Sequence, residues 1–175
     1  SLTAFRARCL KDGKVVIVPT YSLTRGLFML EPADIPAGQE AFAATLDGLE
    51  TFGRPYLVSI KDHAHSLELM VTGASVLNKH GVRVSHGPSF FDLEWLILSA
   101  LGLVTDQTPV LAAIHDYQLV DLVCPPMPYS VVSDCIITPT KVIDTGRPYP
   151  RPLPTSIKDL PWQITQDVPL LREMT

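Results

Sequence analysis

Four short apolar runs, Val15–Val18, Leu67–Val71, Val110–Ile114 and Cys135–Ile137, each break off in a polar turn, and helical periodicity fills much of the sequence between them. Continuous β-branched runs suit strands covered on both faces. Strands that alternate with helices imply an α/β fold, a mostly parallel sheet with helices on both faces. Leu2–Lys11 reads as a helix that stops near Gly13. Gln39–Phe52 reads as one amphipathic helix with Phe42, Leu46 and Leu49 on its apolar side, ending at Gly53. Ser89 and Asp92 fit a capping box, with Asp in place of Glu, ahead of a buried helix over Phe90–Leu101. Arg54–Ile60 suits a further short strand. Val76–Leu77 and Val82–Val84 flank Asn78–Gly81 as a hairpin, and one short helix is expected within Lys158–Arg172.

Composition bounds what such a chain does. Apolar residues make up 46% and charged residues 18% of 175 residues, against a usual charged share of about 25%. One domain over 1–175 with a full core follows. The net charge of −4 and the absence of a basic run exclude nucleic acid as a partner held by bulk charge. The longest apolar stretch, Trp95–Val104, is interrupted by Ser99 and Gly102 and falls well short of the roughly 20 residues a spanning helix needs, so no membrane segment is expected. Cys9, Cys124 and Cys135 make an odd count without a CxxC pair, which points to a reducing, cytoplasmic setting. Ten of the 16 prolines follow residue 124, so 147–175 reads as a proline-rich extension lying over the surface of the same domain. The chain opens on Ser1 rather than Met, and an N-terminal helical region is expected upstream.

In a parallel sheet, ligands bind beyond the carboxyl ends of the strands. That rule selects four turns: Pro19-Thr20-Tyr21, Thr72-Gly73, His115-Asp116 and Thr138-Pro139-Thr140. His115-Asp116 suits an acid/base pair or a magnesium site, and equally a capping His with an Asp that opens the next turn. The two hydroxyls of Thr138 and Thr140 around a rigid bend suit a phosphate, and equally a plain turn. Ser85–Asp92 leads into a helix N-terminus, which attracts anions. Pro88 there has no N–H, which favours a simple cap. Asp62, His63 and His65 resemble a metal cluster only superficially, and a solvated turn accounts for them. Cys135 reads as an inert core thiol. No nucleophile elbow, dinucleotide fingerprint or P-loop pattern occurs.

Val82–Trp95 (VRVSHGPSFFDLEW), Thr108–Asp121 (TPVLAAIHDYQLVD) and Ser133–Gly146 (SDCIITPTKVIDTG), preceded by Val16–Phe28 (VIVPTYSLTRGLF), resemble in order and spacing the 5-formyltetrahydrofolate cyclo-ligase (methenyltetrahydrofolate synthetase) family. The likeness covers about residues 14–148 and extends to the divergent branch of methenyltetrahydrofolate synthetase domain-containing proteins. It implies a sheet of the NagB/RpiA/CoA-transferase type, with ATP and Mg2+ as cofactors and a reduced folate as substrate. The implied reaction is a C–N bond-forming ligase step, the ATP-dependent conversion of 5-formyltetrahydrofolate to 5,10-methenyltetrahydrofolate.

By the same resemblance Gly87, Ser89, Thr138 and Thr140 would bind ATP phosphates and Asp92 the magnesium. Tyr21, Phe28 and Tyr117 would contact the pterin. No catalytic residue is singled out, and the oligomeric state stays open between monomer and dimer. The family's phosphate loop follows G-[KR]-G-x-G-Y-[YF]-D. Ser85, His86 and Ser89 stand here for its first glycine, its base and its third glycine, and Pro128-Tyr129 stands where the family has His-Asp, although Asp134 remains. These departures imply the alternative of a non-catalytic relative that binds a ligand or partner. Fold analogy alone adds a third, a sugar-phosphate isomerase or ligand sensor.

Overall fold

The computed structural model describes residues 2–62 and 66–175. Two compact units emerge, one from Ser1–Ala64 with Gln166–Met174, the other from His65–Thr165 with Thr175. In the first, helix α1 (Thr3–Lys11) ends as its sequence predicts, with Gly13 in the left-handed region at φ +72. Strand β1 (Val16–Pro19) pairs antiparallel with β2 (Leu27–Leu30), and β2 pairs antiparallel with β3 (Arg54–Leu57). The Val15–Val18 run is therefore not a doubly covered parallel strand. Val18 is buried while Val15 is 48% exposed, the pattern of a strand with one wet side. Gly26, at φ +67, closes the turn into β2, and a Cβ there would stand 1.5 Å from the Leu57 carbonyl oxygen. The expected strand over Arg54–Ile60 stops at Leu57 because the amides of Val58 and Ser59 turn onto the Asp62 carboxylate, at 2.7 and 3.0 Å.

The single helix expected over Gln39–Phe52 is two, α2 (Glu40–Ala43) and α3 (Leu46–Phe52). Thr45 breaks the run: it is extended, and its side chain caps α3 by accepting from the Gly48 amide. Gly48 also lets the two helices touch, since a Cβ there would lie 1.9 Å from the Phe42 carbonyl oxygen. The buried face becomes Ala43, Ala44, Gly48 and Leu49, whereas Phe42 and Leu46 are exposed. Ala43, Ala44 and Leu49 pack with Leu10, Val18, Leu30 and Ile35 into this unit's core.

The second unit holds strands β4 (Met70–Thr72), β5 (Leu77–Asn78), helix α4 (Phe90–Ala100), then β6 (Val110–Ala113), β7 (Leu119–Val120), β8 (Cys135–Ile137) and β9 (Val142–Asp144). Its main sheet runs β4-β6-β8-β9, with β4, β6 and β8 parallel and β9 an antiparallel edge. β5 and β7 form a separate parallel pair. The α/β class holds, and the parallel pairing belongs to this unit. Asn78–Gly81 does reverse the chain into a short hairpin, with the Asn78 amide on the Val82 carbonyl oxygen at 3.0 Å, the Val84 amide on the Val76 carbonyl oxygen at 3.1 Å and an antiparallel bridge from Leu77 to Arg83. Helix α4 starts at the predicted capping box and is buried on nearly every side.

The proline-rich segment does more than lie over the surface. Arg151 is 6% exposed, stacks 4.7 Å from the Trp95 ring and pairs with Asp134. Trp95 Nε1 donates to the Pro152 carbonyl oxygen at 3.2 Å. Beyond it come two helices in place of one, α5 (Trp162–Asp167) and α6 (Pro169–Met174), the second restarted at Pro169. Within the first unit, α6 sends Glu173 to accept from Ser59 Oγ and the Ile60 amide. Among the described residues no helix is long and apolar enough to cross a membrane.

Candidate functional site

The register of the parallel strands brings three of the four selected turns to one edge. Thr72 lies beside Ala112, Ala112 beside Ile136, and Ala113 beside Ile137, so Thr72-Gly73, His115-Asp116 and Thr138-Pro139-Thr140 all leave the carboxyl ends of β4, β6 and β8. The fourth, Pro19-Thr20-Tyr21, follows an antiparallel strand in the other unit.

At this edge β6 has ended before His115, which caps a one-turn 3-10 helix over Asp116–Gln118. His115 Nδ1 accepts from the Tyr117 amide, and Gln118 Oε1 accepts from the His115 amide at 2.6 Å. The turn therefore frees Asp116 from strand alternation and aims it along the edge. Asp116 Oδ1 accepts from Thr138 Oγ1 and from Thr140 Oγ1, each at 2.6 Å. These hydroxyls, Thr138 first, hold the Asp116 carboxyl below its ordinary value of 3.8, and His115 and Lys141 add a weaker pull. Thr138 Oγ1 in turn accepts from the amides of Thr140 and Lys141. The rings of His115 and Tyr117 stack at 5.1 Å and 19°, with Tyr117 91% exposed.

The turn over Ser85–Asp92 is organised the other way, inward. Ser89 caps α4, and its amide and its Oγ both donate to Asp92 Oδ2, at 2.8 and 2.7 Å. Asp92 Oδ1 accepts from Arg83 Nη2 at 2.6 Å and from the Val131 amide at 2.8 Å. Both Asp92 oxygens are engaged and the residue is 2% exposed. Arg83 lies 4.8 Å from the Phe91 ring, and its Nε and Nη1 are buried without a hydrogen-bond partner among the described residues. Gly87 has open space where a Cβ would go and no positive φ, and its carbonyl accepts from Ser85 Oγ. No feature of the backbone there demands glycine.

The aromatic candidates divide between units. Tyr21 is 87% exposed, after Thr20, whose side chain ties the turn by donating to the Gly26 carbonyl and accepting from the Arg25 amide. Phe28 packs on the core of the first unit under the Arg25 guanidinium, 5.0 Å away. The Asp62, His63 and His65 constellation includes positions outside the described residues. Among the described residues no group of three or more His, Cys, Asp and Glu is placed to hold a metal. The three cysteines are free, and burial pushes the Cys9 and Cys135 thiols up.

A family model described as the 5-formyltetrahydrofolate cyclo-ligase family matches residues 2–139. The chain belongs to the 5-formyltetrahydrofolate cyclo-ligase family. It is also similar to curated proteins called methenyltetrahydrofolate synthase domain-containing protein. The human one is 28% identical over 176 residues, covering 99% of this chain and 45% of that protein. The mouse one is 30% identical over 173 residues (94% and 44%) and the zebrafish one 29% over 172 (97% and 44%). The chain thus spans less than half the length of these relatives. The cyclo-ligase match begins at Leu2, just before α1, and runs through β8, so it takes in residues of both units.

Two residues of consequence escape sequence reasoning, Arg83 and Arg151. Both are buried cations stacked on rings, Phe91 and Trp95, and paired with Asp92 and Asp134. The available signal was a charge inside an apolar alternation (Val82-Arg83-Val84) and another inside a proline run, since a buried charge must find a partner somewhere.

Proposed function

We propose that this chain is a cyclo-ligase-type module of folate metabolism that binds a reduced folate together with ATP and Mg2+. Its activity would be the ATP-dependent conversion of 5-formyltetrahydrofolate to 5,10-methenyltetrahydrofolate. The observation that carries this reading is the family match over residues 2–139. The polar carboxyl edge at Asp116, where a parallel sheet of this kind takes its ligand, supports it. Bound ATP would supply a phosphoryl group to activate the formyl oxygen, and the chain's residues would orient the folate and exclude water. Tyr117, largely exposed beside the Asp116 edge of the second unit, suits stacking on the pterin. Phe28 is better placed to shape the first unit's core than to meet a ligand. The module has no need of nucleic acid or membrane, works as a monomer or dimer, and with its free thiols suits the cytoplasm.

A specific observation favours a second reading, a relative that binds without turnover. The Ser85–Asp92 turn does not fit nucleotide phosphates as it stands. Ser89 gives its amide and hydroxyl protons to Asp92, Pro88 has none, and the unpartnered nitrogens of Arg83 are buried. Asp92, with both oxygens engaged, serves as the organiser of this turn rather than as a ligand for magnesium. Turnover of 5-formyltetrahydrofolate by the full-length protein with Mg-ATP decides between the readings. Product formation supports the enzyme. Thermal stabilisation by 5-formyltetrahydrofolate without product supports the binding relative. Neither binding nor product sinks both. His86→Lys with Ser89→Gly is expected to raise nucleotide affinity if this turn once held phosphate, and unchanged affinity would place the nucleotide elsewhere.

A further inference from the structure

A threonine hydroxyl has one proton, and an ionised carboxylate has none. Thr138 and Thr140 both direct their proton at Asp116 Oδ1. That oxygen's two lone pairs are then filled, and so is Thr138 Oγ1, which accepts from the amides of Thr140 and Lys141. Asp116 Oδ2 and Thr140 Oγ1 remain, and among the described residues neither accepts a hydrogen bond. Both are hydrogen-bond acceptors, on residues that are half-buried and exposed. Phosphate oxygens need donors and repel a carboxylate, so the edge is built for the opposite kind of partner. Beside it the stacked His115 and Tyr117 rings offer a flat face, held in place by the Tyr117 amide on His115 Nδ1.

The geometry points to the Asp116–Thr140 edge as the seat of a flat heterocycle that donates N–H hydrogen bonds from its rim, laid against Tyr117. Under the function proposed above, on which this inference rests, the aminopyrimidinone end of the pterin is such a group, with adjacent ring N–H and amino donors. The threonines then recognise the pterin by fixing the carboxylate and offering a lone pair, and ATP phosphates sit elsewhere. The placement also accounts for two hydroxyls on one oxygen: they hold the carboxylate by Oδ1 and leave Oδ2 as its remaining acceptor.

The test measures binding of 2-amino-4-oxopteridine, of 5-formyltetrahydrofolate, of sodium tripolyphosphate and of Mg2+ alone to the full chain and to Asp116→Asn and Thr140→Val. Asn keeps an acceptor for the threonines but removes the charge. Val keeps the shape of Thr and removes the hydroxyl. Unfolding midpoints confirm that both variants fold. The expected result is that the pteridine and the folate bind the parent chain and weaken about tenfold or more in Asp116→Asn. Thr140→Val should give a smaller loss, and tripolyphosphate binding should not fall in either variant. If tripolyphosphate or Mg2+ alone binds the parent and is lost in the variants while the pteridine is unaffected, the assignment is overturned. If the folate binds the parent and both variants equally, this inference fails while the proposed function stands. If no folate binds the parent chain, both fail.

Discussion

The second unit contains two polar turns built from the same kinds of residue, and they are arranged in opposite senses. At Ser85–Asp92 an aspartate collects a serine hydroxyl, two backbone amides and an arginine, and is buried. At the carboxyl edge an aspartate collects two threonine hydroxyls on one oxygen, and its other oxygen accepts no hydrogen bond among the described residues. In the first, both carboxylate oxygens are engaged inside the chain, so the network ties α4 to Arg83 and to the 127–131 segment. In the second, acceptor capacity is left over, so the network is completed only by something from outside. The number of polar residues in a turn is therefore a poor guide to function, and the direction of their protons is a better one.

The contrast is broken most severely by Asp92→Ala. That change leaves Arg83 as a buried, unpaired cation and removes half of the α4 capping box. It should lower unfolding free energy by about 3–5 kcal/mol, measured by denaturant titration, while Asp116→Ala should have little effect on the same measurement. Equal losses at the two sites would erase the distinction. Next in size is Ser89→Ala, which removes the cap side chain and should lower stability by about 1 kcal/mol. Gly in its place should have a milder effect.

A smaller effect is expected in acid. The folded-state value of Asp116 lies below its ordinary 3.8. Its contribution is fully present above that ordinary value and is lost as pH falls through the lower, folded-state one. Thermal melts taken from pH 5 downward should show a shallower acid decline in Asp116→Asn than in the parent. Identical slopes would mean that the threonine hydroxyls do not stabilise the carboxylate. The smallest effect belongs to Gly87→Ala. With open space at its Cβ and no left-handed φ, stability should change by no more than about 0.5 kcal/mol. A large loss of nucleotide binding in that variant would restore the Ser85–Asp92 turn as a phosphate site.

Much of the second unit was legible. The Ser89–Asp92 capping box, the start of α4, the three-residue strand at Cys135–Ile137 and the polar exits of β4, β6 and β8 all stand where their residues put them. Each rests on local chemistry: a cap pairs residues three apart, and a β-branched run needs no distant partner to be recognised as one. The first unit was harder. Thr45 and Gly48 split one predicted helix into two, and Leu27–Leu30, a plain apolar stretch, became the middle strand of an antiparallel sheet. Neither outcome is decided by periodicity, because each depends on how closely two backbones approach.

The order of residues alone determined the α/β class, the family, the cap of α4 and the set of turns from which a ligand site had to be drawn, since these follow from short-range pattern and composition. Only the tertiary structure decided which turns share an edge, that Arg83 and Arg151 are buried against rings, and that the hydroxyl protons of Thr138 and Thr140 point at Asp116. Those facts join residues such as 116 with 138 and 83 with 131, and a hydrogen bond's direction exists only once both of its ends have been brought together.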